Sequence, residues 1–308
     1  MINYKPQRIV ITGGSGFVGS FLIDRLIKEE FKNIVVLDRG SKPRKGAKFI
    51  KCDVFKNEAI LKKNIHRNDI VIHFACSTIP GTSEANPVKD AEKNITGTLK
   101  LIEICKNKGI KKFLFASSGG AIYGNSSRAV HVETDPTNPQ SFYGVIKLVI
   151  EKYLAVYKHL YKLSYVALRV SNLYGRKTLP NENIGAVDVF LQRAIEREPI
   201  VIWGDGENVR DYIHIEDLID FLFLAIQKDA IQGVYNIGTG CGTSLNKIIK
   251  TINNLGVKIE PKYMPARGVD VRHNVLDISK ARKTGWRPKY SLLKGMRELY
   301  QKKKRHES

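Results

Sequence analysis

Tyr143 and Lys147 stand four residues apart in Tyr143-Gly144-Val145-Ile146-Lys147, a spacing that places both on one face of a helix. A phenol beside an ammonium can move protons. Tyrosine titrates near ~10, and bringing it close to neutrality takes about 4 kcal/mol of preference for the phenolate, which neighbouring positive charge is of the right kind to supply. Upstream, Ser117-Ser118-Gly119-Gly120 follows a strand-like run and offers a hydroxyl to a reacting oxygen.

The N-terminal segment provides a place for a cofactor. Strand-like Ile9–Thr12 runs into Gly13-Gly14-Ser15-Gly16-Phe17-Val18-Gly19 and then a helical pattern. Without side chains, Gly13, Gly16 and Gly19 let backbone turn sharply and approach a pyrophosphate, whose charge is met by N–H groups at the helix start. About 20 residues further on, Asp38 closes the second strand-like run. A carboxylate there accepts hydrogen bonds from ribose hydroxyls and repels a 2′-phosphate, which favours NAD over NADP. Asp53-Val54, after the third run, is expected either to flank the adenine or to serve as a turn. The nicotinamide of NAD⁺ would add positive charge near Tyr143.

These residues need a scaffold. Short β-rich runs at Arg8–Thr12, Asn33–Asp38, Ala47–Cys52, Ile70–Phe74, Lys112–Ser117 and Ser164–Val170 alternate with helical patterns at Gly16–Glu29, Val88–Lys108 and Tyr143–Leu160. That alternation predicts an α/β fold: a Rossmann-type, doubly wound parallel sheet. Residues 1–172 are expected to form the NAD-binding domain, with returns near 211–238 and 273–281. Residues 173–308, where turn signals multiply, are expected to be mainly a smaller substrate-binding lobe. The 88–108 and 143–160 helices each offer an apolar face, either to the chain's own sheet or to a second copy across a two-fold axis.

A chain of 308 residues that is 43% hydrophobic can bury a substantial core. Cys52, Cys76, Cys105 and Cys241 are scattered without metal-ligand spacing, so no metal is expected. No signal peptide or membrane-length apolar run is read, and a cytoplasmic protein is expected. The net charge of +21 comes from lysines spread along the chain. Basic residues interleaved with aromatics are not found, so nucleic acid is not an expected partner.

With these motifs in view, the chain resembles the extended short-chain dehydrogenases/reductases of the nucleotide-sugar epimerase/dehydratase family, close to UDP-galactose-type 4-epimerases. The likeness runs through Thr12–Gly19, Ser117–Gly124, Tyr143–Lys147, Arg169–Gly175, Gly204–Asp217 and Leu276–Ala281. It implies Tyr143 as the base, Lys147 as the group that tunes it and holds the nicotinamide ribose, and Ser118 as the hydroxyl, with Ser117 an alternative. It further implies Gly13, Gly16, Phe17, Val18, Gly19, Asp38, Asp53, Val54, Phe74, Ala75 and Asn94 around NAD. Asn172, Arg210, Arg267 and Asn274 would then lie around a UDP-sugar, Arg being suited to diphosphate oxygens.

Family dehydratases carry an Asp-Glu pair where this chain has Gly119, Gly120 and Ala121. The resemblance therefore implies 4-epimerisation of a UDP-hexose, with dehydration or reduction of a nucleotide sugar as the alternative. Asn274 is smaller than an aromatic, so an N-acetylated sugar is also compatible. The contrasting reading is a catalytically silent Rossmann module that binds RNA or protein, against which the intact Tyr143–Lys147 pair argues.

Overall fold

The computed structural model describes residues 8–40, 45–78, 83–125, 128–176, 185–266 and 271–307. The predicted α/β architecture is present. Strands β1 (Ile9–Thr12), β2 (Ile34–Asp38), β3 (Lys48–Lys51), β4 (Ile70–His73), β5 (Lys112–Ser118) and β6 (Tyr165–Val170) join a strand at Gly233–Ile237 in a seven-stranded sheet. Its order is Gly233–Ile237, β6, β5, β4, β1, β2, β3. β1 pairs in parallel with β2 and β4, β2 with β3, and β4 with β5. The order reverses beside β1, which in open α/β sheets is where ligands bind, at the carboxyl ends of the strands.

The chemistry of these strands explains their place. β1 and β4 are buried at every position, and β2 at every position but Asp38. Such nearly continuous apolar runs, rich in Ile and Val, suit a parallel sheet covered on both faces. The helix Phe17–Lys28 closes with Arg25 and Lys28 in its last turn, favourable against the negative end of the helix dipole. Lys112 carries a buried ammonium on β5 that donates to Ala225 O at 2.9 Å and Lys228 O at 2.8 Å, satisfying carbonyls at a helix end.

Observed strand ends fall within a residue or so of those expected. The segment 88–108 departs more. In place of one helix there are Pro87–Ala91, a π-helical turn at Glu92–Thr96, and Gly97–Lys108. Within that turn the Asn94 side chain donates to Asp90 O at 3.2 Å, engaging a carbonyl that regular helix would give to backbone alone. The helix Glu58–Asn64 was not anticipated by sequence periodicity.

The chain divides into two compact units: Met1–Ile122, Thr137–Arg169 and Ile219–Tyr235 in one, and Tyr123–Pro136, Val170–Leu218 and Asn236–Ser308 in the other. The first has a core that includes Val10, Val71, Phe113, Phe115, Ile146 and Leu154. The second has its own, around Tyr174, Leu191, Ile202, Ile248 and Met296. Among the described residues no helix is long and apolar enough to cross a membrane.

Candidate active site

At the end of β1 the chain turns through Gly13 with φ of +72°, and a Cβ there would lie 2.5 Å from the Ala75 backbone nitrogen. Only glycine permits both the turn and that approach. The helix that follows has Gly16 at its N-cap, with no side-chain cap and no acidic residue in its first turn. Its positive end is therefore left for an external anion. Asp38 Oδ2 accepts the Ser15 N–H and Oδ1 the Gly40 N–H, both at 2.8 Å, which ties the glycine turn to the end of β2 and fixes the carboxylate.

A cavity of about 200 Å³ opens here, lined by Gly13, Gly16, Asp38, Asp53, Phe74 and Ala75 among others. Val54 lines it too, and so do Leu37, Arg39, Cys52, Phe55 and Cys76, which the sequence reading did not single out as cofactor contacts. Their signal was positional, since each adjoins a residue that was named. Asp53 also builds its own turn, with Oδ1 accepting the Phe55 N–H at 3.0 Å. Phe17, Val18 and Gly19 form the first turn of the helix. These features fit a dinucleotide: uncapped N–H groups for a pyrophosphate, a fixed carboxylate for ribose hydroxyls, and a glycine that a Cβ would block.

Asn94 is buried beneath the loop after β4. Its Oδ1 accepts the Ser77 N–H at 2.9 Å and its amide donates to Ser77 Oγ at 2.7 Å. His73 was missed by sequence reasoning. Its ring nitrogens meet Thr12 Oγ1 at 2.6 Å and Thr98 Oγ1 at 3.0 Å, and burial drives its pKa down to about 3, so it stays neutral. A lone histidine within an apolar strand gives no periodic signal.

The helix Phe142–Tyr161 carries Tyr143 and Lys147 at its start, capped by Ser141 Oγ, which accepts the Gly144 N–H at 3.2 Å. Gly144 lets the helix settle on the 119–122 segment, since a Cβ would stand 2.5 Å from Ala121 O. Lys147 Nζ donates to Ala116 O at 2.9 Å and lies 5.4 Å from the Tyr143 ring centroid and 4.9 Å from that of Phe115. Burial works against the ammonium, but Cys76, Tyr143, Asp90 and Glu151 outweigh it and hold the Lys147 pKa above the ordinary lysine value.

Burial likewise pushes the Tyr143 phenol up, while Lys147 pulls the other way and loses. The protein alone thus keeps Tyr143 protonated. Ser118 ends β5 half-buried. Ser117 is buried with its hydroxyl enclosed and unbonded.

In the second unit, Asn172, Arg210 and Asn274 occupy adjoining strands, Asn172–Tyr174, Val209–His214 and His273–Asn274. Register sets Asn274 opposite Arg210 and Asn172 opposite Tyr212, so their side chains leave one face of that small sheet. Asn172 Nδ2 donates to Asp211 O at 3.1 Å, and Arg210 to Val209 O at 2.9 Å. Arg267 lies outside the described residues.

A chain that buries an ammonium beside a phenol on one helix, in the same unit as a dinucleotide-shaped cleft, is by class a Rossmann-fold enzyme of the short-chain dehydrogenase/reductase type. More narrowly, residues 9–238 match the NAD dependent epimerase/dehydratase family, and the chain belongs to it. It is similar to the UDP-glucose 4-epimerase of Thermotoga maritima solved with UDP-glucose, at 36% identity over 98% of this chain and 100% of that one, TM-score 0.91. The UDP-glucose 4-epimerase of Thermus thermophilus in complex with NAD aligns at 32% identity, covering 97% and 99%, TM-score 0.87. The UDP-N-acetylglucosamine 4-epimerase of Methanobrevibacter ruminantium, in complex with UDP-N-acetylmuramic acid, aligns at 30%, covering 99% and 100%, TM-score 0.90.

Proposed function

We propose that the protein catalyses reversible, NAD-dependent 4-epimerisation of a UDP-hexose, either the glucose/galactose pair or its N-acetylated counterpart. The observation that carries this reading is a Tyr143–Lys147 pair in one helix turn, with Gly119, Gly120 and Ala121 where elimination would call for carboxylates. Losing water from a sugar needs a general acid at the leaving hydroxyl. Oxidation and reduction at a single carbon do not.

When bound, NAD⁺ would supply the hydride acceptor and a positive charge that favours the Tyr143 phenolate. Gly13, Gly16, Phe17, Val18 and Gly19 would hold its pyrophosphate, Asp38 its adenosine ribose, and Asp53, Val54, Phe74 and Ala75 the walls around it, with Asn94 bracing the loop after β4. Tyr143 takes the proton of the sugar's 4-hydroxyl and later returns it. Lys147, kept charged, lowers the cost of the phenolate and donates to a ribose hydroxyl. Ser118 hydrogen-bonds the reacting oxygen. Ser118 is only half-buried, which supports it over Ser117, whose Oγ is enclosed. Asn172, Arg210, Arg267 and Asn274 bind the nucleotide diphosphate and sugar. The free, buried Cys52 and Cys105 suit a reducing compartment such as the cytoplasm.

A second copy of the chain is the proposed partner. Phe142, Val145, Tyr153, Val156 and Leu160 are 42–58% exposed and recur at helical spacing on one face of the Tyr143 helix. A contiguous apolar stripe of that kind marks an interface. Purified protein incubated with UDP-glucose, UDP-N-acetylglucosamine and dTDP-glucose tests the reaction. An epimer formed without added NADH supports it, whereas a 4-keto-6-deoxy product or net consumption of NAD(P)H overturns it.

A further inference from the structure

Behind Lys147 lies a buried ion pair that the proposed chemistry does not use. Glu151 stands one helix turn beyond Lys147, and Arg169 near the end of β6 grips its carboxylate. Arg169 Nε donates to Oε1 at 3.2 Å and Oε2 at 3.1 Å, and a terminal nitrogen donates to Oε2 at 2.8 Å. Both side chains are almost fully buried, 4% and 2% exposed. A pair so enclosed is weak evidence for a stabilising role, because desolvation offsets its attraction and apolar replacements of like volume often do as well.

The surroundings of Lys147 suggest its use. At i and i+4, Lys147 and Glu151 are spaced to form a direct ion pair. They do not: the Lys147 hydrogen bond goes to Ala116 O. With Arg169 occupying both Glu151 oxygens, the carboxylate acts on Lys147 only from a distance. The ammonium stays at the Tyr143 end of the helix turn.

We propose that Glu151 and Arg169 are positioning residues for the Tyr143–Lys147 pair, Arg169 withholding the Glu151 carboxylate from Lys147 so that the ammonium remains available to Tyr143. This rests on the reading of Tyr143 as the base. The charged and titratable groups around Lys147 are Cys76 and His73 from the β4 segment, Asp90 from the segment before the π turn, and Tyr143 and Glu151 from its own helix. Tyr165 on β6 adjoins Glu151 and Arg169. Apart from Glu151, Arg169 and the Tyr143→Phe reference, all of these groups are the same in every variant tested.

The test is an absorbance titration of tyrosinate at 295 nm. Each protein is compared with the same protein carrying Tyr143→Phe, so the difference reports Tyr143 alone and needs neither turnover nor cofactor. Glu151→Gln removes a negative charge from beside Lys147, so the Tyr143 midpoint should fall by about one pH unit. Arg169→Met bares Glu151, which then draws Lys147 away, and the midpoint should rise by a similar amount. The double variant, again without net charge, should return near wild type. Should Arg169→Met alone fail to fold, the fall in Glu151→Gln and its reversal in the double variant still decide the matter. Equal midpoints in all folded proteins, or shifts of one sign throughout, would overturn the proposal. Failure of wild type to convert any nucleotide sugar would instead refute the proposed reaction and leave this titration standing.

Discussion

The two compact units differ in one use of buried charge. In the first, besides Lys112 and Asp69, which hold backbone groups, Lys147, Glu151 and Arg169 cluster behind a phenol, where the proposed chemistry moves a proton. In the second, buried carboxylates hold loops. Asp188 accepts the Gly175 N–H at 3.0 Å; Asp211 accepts the Thr239 N–H at 2.9 Å and the Gly240 N–H at 3.0 Å; Asp217 accepts the Lys289 N–H at 2.7 Å and the Tyr290 N–H at 3.1 Å. The first unit gets its shape from continuous strands and can turn part of its buried charge to chemistry. The second, built of short strands and turns, uses buried charge to close its backbone, since N–H groups out of reach of water must find acceptors.

The largest effect expected from this contrast is at Tyr143. Tyr143→Phe should lower kcat by about 10³-fold or more while leaving the unfolding midpoint close to wild type, as steady-state kinetics and a thermal melt would show. Asp211→Ala, in the second unit, should do the reverse. It strands the Thr239 and Gly240 N–H groups and should cost about 3 kcal/mol of stability, measured by urea denaturation. Loss of catalysis at Asp211 without loss of stability would contradict its structural role.

Gly13→Ala lies between these cases. A Cβ meeting Ala75 in a left-handed backbone should cost roughly 1–3 kcal/mol and also strip bound NAD, read by the 260/280 nm ratio of the purified protein.

A smaller effect separates the units by pH. Burial lowers the His73 pKa to about 3, so its contribution is fully present above the unfolded value of ~6.5 and is lost as pH falls toward 3. Burial raises Asp188 to about 6, so its contribution is present below the unfolded value of ~3.9 and is lost as pH rises toward 6. Between pH 4 and 6 His73 makes stability rise with pH and Asp188 makes it fall, so relative to wild type the slope of stability against pH should be lower in His73→Gln and higher in Asp188→Asn, each by at most about 1.4 kcal/mol per pH unit.

The same contrast explains what could be read from the residues alone. β1, the glycine turn and Asp38 are contiguous patterns, and the structure has them as a strand, a tight turn into a helix and a strand end. Tyr143 and Lys147 needed only a helical period. By contrast, the π turn at Glu92–Thr96 depends on how the Asn94 side chain meets Asp90 and the Ser77 loop, and no spacing announces it. Asp217 acquires its role from Lys289 and Tyr290, far along the chain. Arg169 was legible as part of a motif, but its grip on Glu151 appears only when β6 and the helix are folded together.

The central claim is that hydride leaves and returns at one carbon. UDP-glucose and UDP-N-acetylglucosamine, each deuterated at C4 and incubated with the purified protein without added NADH, test this most directly by NMR of the product sugar. UDP-galactose or UDP-N-acetylgalactosamine with deuterium retained at C4 is the expected product. Epimer with deuterium lost to solvent, or a product without inversion at C4, would contradict the claim.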